Sequence, residues 1–126
     1  MKRLWLGIIL AGILLVSGFW VSSLIHRASA EIAGALESAA ADALSGNFQT
    51  ATAGAENAHA RWESAWRKVA AVADHAPMDE IDSLFAQLTV YADTGNADAF
   101  AAYCRRIAQL ILAVGEAHSF SWWNLL

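Results

Sequence analysis

Cysteine and proline are almost missing from this 126-residue chain, one of each standing at Cys104 and Pro77. A lone cysteine excludes an intrachain disulfide, so cysteine usage does not identify the compartment. The scarcity of proline, the strongest helix breaker, leaves long stretches free to be helical. β-Branched runs are also scarce beyond the first thirty residues, whereas alanine supplies 28 positions. Alanine loses no side-chain entropy in a helix, so composition alone predicts an all-α protein.

Positive charge is the other shortage. From residue 31 onward there are five Lys or Arg (Arg61, Arg67, Lys68, Arg105, Arg106) against twelve acids, a formal charge of −7. Nucleic acid and anionic lipid both require a basic surface, so no nucleic-acid partner is expected.

Charge of either sign is absent from Leu4 to Ile25, 22 consecutive residues. As a helix rising ~1.5 Å per residue they exceed the ~30 Å hydrocarbon layer of a bilayer. Lys2 and Arg3 precede them, and the positive-inside bias keeps that end in the cytoplasm. Trp5 near one end and Phe19-Trp20 towards the other make a partial aromatic belt. The competing expectation is a cleaved signal peptide, because Ala28-Ser29-Ala30 has the small-x-small pattern of a cleavage site. The apolar stretch is longer than the usual 7–15-residue signal core, which favours an anchor. Gly7, Ala11, Gly18 and Ser22 share one strip of this helix, and small residues so arranged permit a homodimer.

The rest divides at turn signals. Residues 26–45 continue as helix with Ile32, Leu36, Ala39 and Ala43 inward, and Ser45-Gly46-Asn47 stops it. A second helix over about 48–74 carries the seam Phe48, Ala51, Ala55, Ala58, Trp62, Ala65, Val69 and Val72. His75-Ala76-Pro77 is expected to end it. Met78 to Asp93 is the third helix, with Ile81, Leu84, Phe85, Leu88, Tyr91 and Ala92 inward. After Thr94-Gly95-Asn96 a fourth runs from Ala97 to about Ala117 through Phe100, Cys104, Ile107, Ile111 and Val114. The two Gly-Asn turns lie 49 residues apart, as in a repeated helical hairpin. The architecture read from this is a transmembrane anchor (1–27), a small antiparallel helical-hairpin bundle (28–118) and an apolar tail (119–126).

Residues suited to chemistry are sparse. His59, Trp62, Glu63 and Trp66 fall on one helical surface, at i, i+3, i+4 and i+7. With Trp122 and Trp123 of the tail they make the candidate interaction surface, although Trp at helix contacts is commonly core. His75 with Asp79, Glu80 and Asp82 has the residue types of a zinc site but not the spacing, and acids at a helix start are favoured electrostatically. Cys104 on an apolar face reads as a buried, inert thiol. No nucleophile elbow, phosphate-binding glycine loop or pair of catalytic acids appears, so no catalytic residue, cofactor or metal is assigned.

The basic start, the single span, Trp62 with Trp66, His75 with Asp79-Glu80-Ile81, and Tyr91 ahead of Gly95-Asn96 form a pattern with the ending Ser121-Trp122-Trp123-Asn124-Leu125-Leu126. It resembles a family of short single-span membrane proteins of Gram-positive spore-forming bacteria, classed as a domain of unknown function. This chain has alanine where that family tends to carry Glu, Lys and Leu. The resemblance implies the architecture and no mechanism. Two functions are expected from the topology and the residues. One is an extracytoplasmic interaction or scaffold module, anchored in the cytoplasmic membrane and facing an envelope protein. The alternative is a small-ligand or metal sensor built on the Trp/His surface.

Overall fold

The computed structural model describes residues 1–67 and 76–123, those from 118 onward by backbone alone. These residues form four helices and no strand: α1 (Lys2–Leu44), α2 (Phe48–Arg67), α3 (Ala76–Thr94) and α4 (Ala97–Trp123).

Both hairpin turns are built the same way. In the first, Gly46 takes φ 88°, the left-handed conformation that costs glycine least. The N–H of Asn47 donates to the carbonyl of Asp42 at 2.9 Å and that of Gly46 to Ala43 at 3.3 Å. This pair of reversed bonds closes the last turn of α1. In the second turn Gly95 takes φ 70°, and Asn96 donates to Tyr91 at 3.1 Å while Gly95 donates to Ala92 at 3.3 Å. Each Asn also starts the next helix, its carbonyl accepting from Ala51 or from Phe100, both at 3.0 Å. The Asn96 side chain adds a cap, Oδ1 accepting from the Ala99 N–H at 3.2 Å. One dipeptide thus ends a helix and begins another without spending intervening residues.

α1 is continuous for 43 residues, about 65 Å at the usual rise. Its C-terminal part is the spine of the bundle, packed against α2 and, most extensively, α4, while α3 lies on α4. α4 starts near the α1–α2 turn, where Phe100 meets Phe48 edge-on with ring centroids 5.3 Å apart. It reaches Ser29 of α1 at Gly115. The two helices therefore run antiparallel. The core comprises Ile32, Leu36 and four alanines of α1, Ala51, Ala55, Ala58, Trp62 and Trp66 of α2, and the apolar stripes of α3 and α4. Trp62, Leu84, Leu88, Ile107 and Ile111, expected inside from spacing, are all buried.

Two boundaries differ from expectation. α3 begins at Ala76, two residues before the expected Met78, so Pro77 sits in its first turn; the end of α2 expected near residue 74 lies outside the described residues. Proline is well tolerated there, because the N–H it lacks would have had no intrahelical partner. α4 runs to Trp123, past Ala117, so the start of the apolar tail is helical. Lys68, Val69, Val72, Asp74 and His75 lie outside the described residues, as does Asn124.

Candidate functional site

α2 carries the candidate surface, and its periodicity divides that surface in two. Trp62 and Trp66, one turn apart, both point inward, exposing 2% and 6%. Their rings lie 4.8 Å apart beside Ile25, Ala28, Ser29 and Ile32 of α1, where only about 20 Å³ is left unfilled. That space is enough for about one water molecule. The pair is packing, with no room for an organic ligand.

His59 and Glu63 face outward on the next strip of α2. His59 Nε2 lies 3.5 Å from Glu63 Oε1, and both side chains are more than a third exposed. An exposed pair at this spacing contributes at most a few tenths of a kcal/mol. The imidazole stacks on Phe85 of α3, with centroids 4.3 Å apart and planes 17° from parallel. It thereby covers the core edge where α2 and α3 meet. A groove of about 60 Å³ opens beside it, lined by Thr52, Glu56, His59, Phe85 and Asp93 among others. It holds a few water molecules, whereas pockets for small organic ligands commonly run to ~300 Å³ or more. Trp122 and Trp123 close α4, and their side chains lie outside the described residues.

Asp79, Glu80 and Asp82 are exposed, and Asp79 lies in the first turn of α3, where an acid complements the helix dipole. Among the described residues no three His, Cys, Asp or Glu side chains gather where a metal ion could be held. Cys104 is fully buried, and desolvation pushes its thiol up to about 12. A thiol so protonated is neither a nucleophile nor a ligand at neutral pH. Tyr91 and Tyr103 pair across α3 and α4, with rings 5.0 Å apart. The hydrogen bond between them raises the Tyr91 phenol above its ordinary value, helped by their mutual repulsion when ionised and slightly by burial. Sequence reasoning missed this pair, because nothing in the spacing of α3 reveals which α4 residue lies opposite.

The N-terminal part of α1 is the other prominent surface. It is long and apolar enough to cross a membrane, with mean hydropathy 2.3 over its most apolar window. Leu10 exposes 63% and Phe19 78%. Within the small-residue strip, Gly7 and Ala11 are exposed, whereas Gly18 is buried and Ser22 half-buried within a single chain.

Comparison with known families places this four-helix domain and its apolar helical extension. A domain of unknown function, DUF4363, matches residues 19–125. The chain belongs to this family. Its domain takes in the end of the apolar stretch of α1 as well as the bundle, so the family's shared unit includes the junction between them. No curated protein and no solved structure matches the chain.

Proposed function

We propose that this DUF4363 protein is a single-pass component of the cytoplasmic membrane that holds its acidic helical domain outside, for contact with another envelope protein. The reading assigns it no catalysis and no cofactor. One observation carries it: a single unbroken helix has large apolar side chains mostly exposed at one end and serves as the spine of a packed bundle at the other. In water the open end would leave Leu, Ile, Phe and Trp exposed over a patch far larger than soluble proteins tolerate. In lipid the same surface is solvated, and a continuous helix satisfies its own backbone groups. Lys2 and Arg3 supply the orientation, with the N-terminus inside. The packed Trp62–Trp66 pair and the small size of the groove beside His59 favour an interaction module over a ligand sensor.

Fractionation and a topology reporter test this together. The full chain should stay in membranes after an alkaline wash, and removal of residues 2–25 should release it. A reporter active only in the cytoplasm, fused after Leu126, should be silent. Activity of that fusion would reverse the orientation, and a full-length chain in the soluble fraction would end the anchoring proposal. Crosslinking in native membranes should then capture an envelope protein through the bundle.

A further inference from the structure

The same helix geometry says where the far end of α4 lies relative to the bilayer, given the anchoring proposed above. Starting at Leu4, twenty residues cover the ~30 Å of hydrocarbon and bring its outer boundary to Ser23. Ser29, six residues further, stands about 9 Å outside that boundary. Gly115 of α4 is packed directly on Ser29, since a Cβ added to the glycine would lie 2.9 Å from the serine Cβ and Oγ. α4 runs antiparallel to α1 and continues as helix to Trp123. Seven and eight residues beyond Gly115, Trp122 and Trp123 have therefore come back by about 10–12 Å, to the level of Val21 and Ser22.

That level is the boundary between hydrocarbon and headgroups, where Trp is enriched because its ring is apolar and its N–H needs a polar partner. α1 already places Phe19 and Trp20 there, 78% and 66% exposed. The burial pattern of α1 points the same way: Gly18 is the one buried residue among residues 1–28, all of which are described, and Ser22 and Ile25 on the same face as Ser29 are half-buried. α4 descends towards that level. We propose that the last turn of α4 is a second membrane contact, which places Trp122 and Trp123 in the interfacial layer of the outer leaflet beside residues 19–22 of α1. The bundle is then held to lipid at two points, and its tilt relative to the bilayer is fixed.

Quenching of tryptophan fluorescence in phosphatidylcholine vesicles tests the placement. The probes are lipids brominated either near the headgroup end of the acyl chain or near its tip. The full chain has six Trp; changing Trp5 and Trp20 to Phe leaves the buried core pair and the α4 pair. This double variant should be quenched clearly more by the shallow bromine than by the deep one. Adding Trp122→Phe and Trp123→Phe should abolish most of the shallow quenching. Protection of Trp62 and Trp66 from an aqueous quencher reports that the bundle has stayed folded. If the native chain is quenched but the double variant is not, the span stands and the α4 pair is shielded by protein, which overturns the proposal. A native chain untouched by either lipid overturns the anchoring and this placement with it. Should the quadruple variant fail to fold, the double variant against the native chain still decides.

Discussion

The two halves of α1 are one helix with opposite surroundings. Residues 4–25 are uncharged, predominantly apolar and mostly exposed, whereas the half from Ser29 to Ala43 is rich in alanine and buries Ile32, Ala33, Leu36, Ala39, Ala40 and Ala43. The more hydrophobic half is thus the one that touches least protein. Hydrophobicity averaged over a segment reports the solvent it suits, and its periodicity reports contact with neighbours. The first half has no polar stripe to turn outward, and the second has a narrow apolar one flanked by Glu31 and Glu37, both exposed. Small side chains suit that second role, because alanines on facing helices let the backbones approach and exchange dispersion contacts over a long seam.

A matched pair of leucines sharpens this contrast, beginning with the largest effect. Leu36 is fully buried in the spine, so Leu36→Ala should destabilise the bundle by about 2–5 kcal/mol, the range for deletion of a core leucine. Chemical denaturation of the protein in mild detergent, followed by helical circular dichroism, would measure it. A loss under about 0.5 kcal/mol would mark Leu36 as surface and remove the distinction between the halves.

Next in size is Gly115, where α4 comes closest to α1. A methyl group there would stand 2.9 Å from two Ser29 atoms, too close for either backbone to ignore. Gly115→Ala should cost about 1–3 kcal/mol by overpacking, although alanine is the better helix former. Adding Ser29→Gly removes the atoms it meets and should recover much of the loss, so the double mutant should be non-additive. Full additivity would mean that the helices do not meet there.

The core stripes of α3 and α4 were legible in the sequence because Ile81, Leu84, Phe85 and Leu88, like Phe100, Cys104, Ile107 and Ile111, repeat at steps of three and four. The Gly-Asn turns were legible because glycine supplies the left-handed conformation and asparagine the next cap. Spacing was less informative about α2. His59, Trp62, Glu63 and Trp66 do share one side of the helix, but only the position of α1 shows that the tryptophans turn inward and the other two outward. The start of α3 reads two residues late in the sequence for a related reason, since a proline that can stop a preceding helix also suits the first turn of a following one. The Ser29–Gly115 approach and the Tyr91–Tyr103 pair join distant parts of the chain and leave no trace in local pattern.

Cys104 should matter only at alkaline pH. Burial raises its thiol from an ordinary value near 9 to about 12, so the folded state holds that proton more tightly than the unfolded state. Its contribution to stability is complete below about pH 9 and is lost as pH rises towards 12, because the unfolded chain ionises first. The native protein at neutral pH should resist alkylation, and Cys104→Ala should remove the part of the alkaline destabilisation that this thiol causes. Rapid alkylation of the folded protein at neutral pH would place the thiol at the surface.

Leu10→Ala should give the smallest effect, and it completes the comparison begun with Leu36. Both are leucines in the same helix, but Leu10 is 63% exposed within the chain and has little core packing to lose. Unfolding of the bundle in detergent should therefore shift by less than about 0.5 kcal/mol, as for substitutions away from packed sites. Membrane retention should also persist, since one leucine contributes only about 0.3–0.6 kcal/mol to insertion of a span with many other apolar residues. A loss of 2 kcal/mol or more in the bundle, within the range for a core leucine, would show that this half of α1 packs against protein. The exposed surface on which the anchoring reading rests would then be an interface with a second chain.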